Sequence, residues 1–154
     1  MTTAIDSVVP HLPHDADSLV PHEPPMLLVD RVVRVAPDDD PEAWSIVEAE
    51  VPEDGIFVTD GRVLPEYLIE LTAQAIAAVD GYENLRLKLT PVVGFLVGVQ
   101  DFVWLTEPRP SQPLRIELNK SFSFGAMMIF KVVVYATDTT ICRGEIKIWK
   151  EESR

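Results

Sequence analysis

The sequence predicts an α+β fold in which an antiparallel sheet wraps around one long central helix. The segment 65–81 is apolar around nearly its whole circumference, so a helix formed there must be buried. The segments 44–51 and 114–118 alternate apolar and polar residues, as strands with one solvent-facing side do. A sheet curled around a single helix satisfies both patterns.

The helix has recognisable ends. Pro65 suits the first helical position, Glu66 suits the positive end of the helix dipole, and Gly81 is a plausible C-cap. Between these ends, three polar side chains interrupt the apolar run: Glu70, Thr72 and Gln74.

The remaining elements are strands, about five or six in number. We expect them at 26–35, 44–51, 92–104, 114–118, 127–136 and 141–150, with turns at 36–41 and 137–140. One buried helix with these strands is the hotdog arrangement. A lipocalin-like barrel fits less well, because its helix would lie outside the barrel and be amphipathic.

The N-terminal region differs in composition from the rest. Five prolines within residues 1–25 block regular helix or strand. We therefore expect an extended arm at 1–18, laid over a hotdog domain at 19–150. Met1 to Val9 has neither the basic start nor the apolar run of a signal peptide.

The charge and the cysteine content limit the partners and the location. Thirteen Lys and Arg against 25 Asp and Glu give a formal net charge of −12, which disfavours nucleic acid and membrane surfaces as partners. No stretch approaches the length of a membrane span. Cys142 is the single cysteine, so no intrachain disulfide is possible and the chain reads as cytoplasmic.

Glu70 is the strongest candidate for chemistry. A carboxylate in an apolar helix must be paired, hydrogen-bonded or neutral, and a neutral one is a proton donor. Gln74 lies one turn further on the same face, so both could line a pocket. The alternative is that Glu70 points to solvent near the helix start.

Two glycines interrupt a predicted strand. Gly94 and Gly98 flank Phe95, Leu96 and Val97, and glycine in a strand indicates a bulge or a close backbone approach. An exposed amide in 94–98 could polarise a thioester carbonyl. Packing of this strand against the helix explains the glycines equally well.

The histidines show no metal-site spacing, and we expect no metal or cofactor. His11 and His14 lie in the proline-rich arm and should face solvent. His22 stands beside the first strand and could reach the interior. The chain lacks the Gly-x-Ser-x-Gly motif, which makes serine hydrolase chemistry a poor fit.

Several segments resemble bacterial 3-hydroxyacyl-carrier-protein dehydratases. Residues 20–32 (VPHEPPMLLVDRV) are similar to that family's Leu-Pro-His-Arg-x-Pro-x-Leu-Leu-Val-Asp-Arg-Val opening. Residues 70–74 match the Glu-x-x-Ala-Gln of its central helix, and 94–99 and 108–117 follow its later strands. The likeness spans roughly 19–148, in the right order. Asp60-Gly61 with Pro65 looks closer to the branch associated with aryl polyene pathways.

The resemblance implies a mechanism that this chain does not carry intact. In the family, a histidine takes the α-proton and the helix carboxylate protonates the leaving hydroxyl, and the two come from opposite subunits of a dimer. Glu70 matches the carboxylate, and Phe57 and 94–98 are implied contacts of the substrate. The histidine belongs to a Gly-His-Phe-Pro element fourteen residues before the carboxylate, where this chain has Gly55-Ile56-Phe57-Val58.

Three functions follow as hypotheses. The first is a dehydratase that uses Glu70 with His22 as a substitute base. The second is a thioesterase, in which the helix carboxylate activates water. The third is a non-catalytic acyl-binding subunit that completes the pocket of a related dehydratase.

The partners implied are an acyl carrier protein or coenzyme A thioester, and a second subunit in a homodimer or heterodimer. Carrier proteins are usually acidic, so docking one requires a basic patch on this acidic chain. The available residues are Arg31, Arg34, Arg86, Lys88 and Lys120.

Overall fold

A computed structural model describes residues 10–151 and has the predicted hotdog architecture. The strands are β1 (His14–Asp15), β2 (Arg31–Arg34), β3 (Ser45–Glu50), β4 (Val58–Thr59), β5 (Arg62–Val63), β6 (Gly94–Trp104), β7 (Pro113–Phe124), β8 (Met127–Ala136) and β9 (Thr139–Lys150). Seven form one antiparallel sheet in the order β1-β2-β3-β7-β8-β9-β6, and β4 and β5 form a separate hairpin. The expected five or six strands were too few, because the two-residue strands are too short to show a pattern.

The helix α1 (Glu66–Leu87) packs against β2, β3, β7 and β9. On the side of the sheet that faces it, Val47, Ile116 and Val134 lie directly opposite one another on adjacent strands, and all three are fully buried. The alternation predicted for 44–51 and 114–118 is therefore confirmed. The core forms because every second residue of these strands meets the apolar face of the helix.

The end of the helix corrects one prediction. Gly81 is not the C-cap, since α1 continues to Leu87 and Lys88 ends it in the left-handed conformation. A Cβ at position 81 would overlap the backbone carbonyl of Leu19. Gly81 is therefore needed for the close approach of the N-terminal segment, not for ending the helix.

The described part of the N-terminal arm contacts the helix, and it contains regular structure that the proline spacing was expected to block. Its strand β1 pairs with β2, and a 3-10 turn follows at Ala16–Ser18. The hydroxyl of Tyr82 donates to the carbonyl of Pro10 at 2.7 Å, which ties the arm to α1. Residues 1–9 of the predicted arm, including the segment considered as a signal peptide, lie outside the described residues.

The first long strand is shorter than expected. Only Arg31–Arg34 form β2, whereas 26–30 lie outside the strand and begin in a turn, where the N–H groups of Met26 and Leu27 donate to the carbonyl of Glu23. The reason is that the backbone at Met26 and Leu28 bonds to a helix side chain, Gln74, instead of to a neighbouring strand. The hairpin predicted around 137–140 is confirmed, with Thr137 in the left-handed region.

Strand β6 forms one edge of the sheet and pairs only with β9. Its apolar side chains are exposed on both faces: Phe95, Leu96, Val97, Val99, Val103 and Trp104. Within residues 10–151, no helical segment reaches the hydropathy that a bilayer span requires.

Candidate active site

Gln74 is the buried centre of the predicted site. Its side chain is 1% exposed, and all of its hydrogen-bonding groups lie near partners. The amide oxygen accepts from the backbone N–H of Leu28 at 2.8 Å. The amide nitrogen donates to the carbonyl of Met26 at 2.8 Å and to Oε1 of Glu70 at 3.1 Å. Gln74 therefore joins α1, the segment before β2 and the candidate acid.

Glu70 is half-buried and paired. Its side chain is 33% exposed, and Oε1 accepts from Gln74 and lies 3.5 Å from Nε2 of His22. Of the states that the sequence allowed for this carboxylate, the structure has the paired and hydrogen-bonded one. Its other oxygen, Oε2, has no hydrogen-bond partner in the part of the chain that the structure describes. A carboxyl group held through one oxygen and open at the other can exchange a proton with a ligand through the open oxygen.

The structure brings His22 directly to Glu70. Its imidazole is 34% exposed, and its second nitrogen, Nδ1, is buried without a hydrogen-bond partner among residues 10–151. His11 is exposed, as predicted. His14 is not fully exposed: its Nδ1 lies 2.8 Å from the carbonyl of Asp15, and its ring packs edge-on against Tyr82.

Ile56, at the position where the resemblance places a histidine, lies in the loop before β4. Ile56 is 66% exposed. Phe57 is half-buried, with its ring 5.8 Å from that of Tyr67 in the first turn of α1. Burial raises the pKa of the Tyr67 hydroxyl, which has no partner among the described residues.

The glycine-flanked segment of β6 has the predicted bulge. The register with β9 shifts between Leu96 and Gly98, so Val97 is the additional residue. A Cβ at Gly98 would lie 3.3 Å from the side chain of Lys147, a tight approach. Among residues 10–151, no hydrogen bond or ion pair joins 94–98 to Glu70 or His22. The two halves of the predicted site are not brought into polar contact within one chain.

Two site features were missed from the sequence. The carbonyl of Met26 and the N–H of Leu28 hold Gln74, and the indole of Trp104 donates to the carbonyl of Pro65 at 3.1 Å. The only sequence signal for the bonds of Gln74 to Met26 and Leu28 was a glutamine on an apolar helix, one turn after a glutamate. A surface cavity of about 490 Å³ lies elsewhere, and none of its lining residues belongs to the predicted site.

Two of the five residues of the predicted basic pool are neutralised locally. Arg31 pairs with Glu48 and Arg86 pairs with Glu83, each at 2.7 Å. Both pairs are exposed, so they reduce the local positive charge more than they stabilise the fold.

The comparisons with known proteins agree with the fold and with the predicted family. The family model for ApeP-like proteins, ApeP dehydratase, matches residues 14–153. The chain therefore belongs to the ApeP-like dehydratase family and is a dehydratase-like hotdog protein. No curated protein matches it.

Solved structures with the same fold include proteins of several kinds. The chain is similar to the dehydratase heterocomplex ApeI:P from Xenorhabdus doucetiae, with a TM-score of 0.78 and 23% identity over 93% of each chain. It is similar to the uncharacterized protein PH1136 from Pyrococcus horikoshii (TM-score 0.63, 17% identity, 94% of this chain and 98% of that one). A hypothetical thioesterase with coenzyme A from Streptococcus pneumoniae gives a TM-score of 0.59 at 13% identity, over 80% of this chain and 86% of the other. At these identities the likeness shows the fold alone.

Proposed function

We propose that this chain is one subunit of a 3-hydroxyacyl-thioester dehydratase and that Glu70 is the general acid. The observation that carries the proposal is the Glu70 carboxylate, fixed through Oε1 by a buried glutamine on an otherwise apolar helix while Oε2 stays open. A positioned carboxylic acid of this kind can protonate a leaving hydroxyl group. Membership of the ApeP-like dehydratase family supports the same reaction class.

The reaction requires two groups. A base removes a proton from the carbon next to the thioester carbonyl, and the double bond forms as the bond to the β-hydroxyl breaks. Glu70 gives its proton to the departing oxygen, which leaves as water. The proton taken by the base returns to Glu70 and restores the acid, so no cofactor is consumed.

The base is proposed to come from a second, histidine-bearing subunit. Ile56 stands where the family's histidine is expected, and an alkyl side chain cannot take a proton. The ApeI:P structure is described as a dehydratase heterocomplex, which supports a partner of the same class. In such a dimer, Glu70 meets the partner's histidine, whereas the partner's carboxylate meets Ile56, so one site of the two is complete.

Strand β6 is the proposed dimer edge. An eleven-residue edge strand with exposed apolar side chains on both faces is a liability that monomers normally avoid. Pairing β6 with the same edge of another chain would continue the sheet and cover these side chains. It would also place a second subunit beside 94–98, which we propose to contact the substrate together with Phe57.

The test is an assay of defined complexes. The tagged chain is purified from its native host, and a co-purifying dehydratase-like chain with the Gly-His-Phe-Pro element is identified by mass spectrometry. Each chain and the complex are then incubated with 3-hydroxyacyl carrier protein, and loss of water is followed by mass. We expect activity from the complex and none from this chain alone.

Two matched variants decide which site works. Glu70→Gln in this chain should lower the activity of the complex by about 100-fold or more, because a general acid contributes that much. The equivalent carboxylate-to-amide change in the partner should have little effect, since its acid faces Ile56. Equal losses from both variants, or none from Glu70→Gln, would contradict the proposal.

A second candidate is the dehydratase in which His22 is the base, favoured by its 3.5 Å distance to Glu70. It predicts that this chain alone performs dehydration. The thioesterase alternative predicts free acid and free thiol in the same assay, with no enoyl product. The carrier thioester and the cytoplasmic location remain proposals, supported by the dehydratase family and by the single cysteine.

A further inference from the structure

We propose that His22 is a positioning residue that donates Nε2–H to Oε1 of Glu70, so that Oε2 becomes the oxygen that carries the acid proton. This inference rests on the proposed role of Glu70. It states which nitrogen of His22 and which oxygen of the Glu70 carboxyl group carries a proton. His22 acts through Glu70 and does not touch the substrate.

The burial of Nδ1 determines the tautomer. Nδ1 of His22 is buried and has no hydrogen-bond partner among residues 10–151, whereas Nε2 lies 3.5 Å from a carboxylate oxygen. A buried N–H without an acceptor is rarer and more costly than an unpaired acceptor. The ring proton therefore lies on Nε2, the nitrogen that is 3.5 Å from Oε1.

This tautomer removes His22 from the role of base. The free lone pair of the ring is on Nδ1, which is sealed from solvent. A base must come within hydrogen-bonding distance of the proton that it takes. With Nε2 directed at Glu70 and Nδ1 enclosed, neither nitrogen is available to the α-carbon of a substrate.

Gln74 gives the carboxylate its asymmetry. Its amide orientation is fixed, because the N–H of Leu28 needs an acceptor and the carbonyl of Met26 needs a donor. Its Nε2 consequently donates to Oε1 of Glu70. Oε1 then faces two donors, from Gln74 and His22, and an oxygen that accepts two hydrogen bonds is the poorer place for a proton. The acid proton resides on Oε2.

The experiment compares two substitutions of His22 in the purified complex with the histidine-bearing partner. His22→Gln keeps an N–H donor at about the reach of Nε2, and His22→Ala removes it. We expect His22→Ala to lower kcat by about 10- to 100-fold with KM within about twofold. His22→Gln should restore kcat to within about fivefold of wild type. His11→Gln, at an exposed position in the arm, is the matched control.

The outcomes separate positioning from other roles. If both substitutions lower kcat alike by about 100-fold or more, His22 is the base and the inference fails. If His22→Ala leaves kcat unchanged, His22 has no role in the reaction and the inference also fails. Thermal unfolding of each variant identifies losses that come from misfolding.

A spectroscopic measurement tests the tautomer without any activity. Nitrogen-15 NMR of the chain at about pH 9, where a histidine ring is neutral, should show His22 protonated at Nε2. A ring protonated at Nδ1 would overturn the inference. If the wild-type complex shows no dehydration but this tautomer is found, the proposed function fails and the assignment of His22 as a donor to Glu70 stands.

Discussion

Replacing Gln74 with alanine should destabilise the chain strongly, because the amide is the buried link between α1 and the segment before β2. The substitution leaves the N–H of Leu28 without its acceptor and the carbonyl of Met26 without its donor. A buried polar group that loses its partner costs about 1–3 kcal/mol. Leu28 is buried and Met26 is partly exposed, so the first group carries most of the cost. With the cavity left by the side chain, we expect a loss of about 2–4 kcal/mol.

The measurement is urea unfolding followed by tryptophan fluorescence, with the midpoint and the slope fitted separately. For a chain of this size the expected loss corresponds to roughly 5–15 °C in Tm. Gln100→Ala is the matched control, because Gln100 is exposed and should change stability by less than about 0.5 kcal/mol. Equal effects of the two substitutions would show that the three hydrogen bonds of Gln74 do not hold this region, and the reasoning would fail.

Three further substitutions or probes test other parts of the structure. Gly81→Ala should cost about 1–3 kcal/mol in urea unfolding, because the new methyl group meets the carbonyl of Leu19, whereas an unobstructed helix would gain about 1 kcal/mol. Burial raises the pKa of the Cys142 thiol to about 12, so alkylation by iodoacetamide at pH 8 should be at least about a thousandfold slower in the folded chain than in urea. Desolvation raises the pKa of Asp30 above 3.8, against the lowering effect of Arg31, so the folded state binds this proton more tightly than the unfolded state. The stability of the folded chain therefore falls as pH rises above about 3.8, the pKa of the unfolded state. In thermal unfolding, Asp30→Asn should be slightly more stable than wild type at pH 7 and equal to it below about pH 3.8.

The elements that the sequence predicted well are those whose pattern is local. The helix was recognised because its apolar run directly follows Pro65, the residue before α1. Strands β3 and β7 were recognised because apolar and polar residues alternate along them. The end of α1 was misplaced because glycine is favoured both at C-caps and at close approaches. Only the position of Leu19 in space distinguishes the two at Gly81, and a single sequence does not contain it.

In the site, too, the contacts between residues close in sequence were predictable and the long-range contacts were not. Glu70 and Gln74 lie one turn apart, so their contact follows from helix geometry. The bonds of Gln74 to Met26 and Leu28 join residues more than forty positions apart, and local patterns carry no information about them. The contact between His22 and Glu70 depends on those bonds, because they fix the segment that follows His22.

The acid of the proposed site could be predicted from this sequence and the base could not, for a physical reason. An acid on a buried helix leaves a mark in its own chain, since a carboxylate among apolar neighbours must be explained. A base that another chain supplies leaves no such mark in the sequence of this chain. What this chain shows in its place is an isoleucine that is 66% exposed, and an apolar edge strand that is paired on one side only. The exposed apolar edge costs free energy in the isolated chain, and in the proposed complex a second subunit across β6 would relieve that cost and supply the missing imidazole. The proposed reaction and the proposed dimer therefore both require a second subunit paired with β6. The oligomeric state of the active complex tests both proposals.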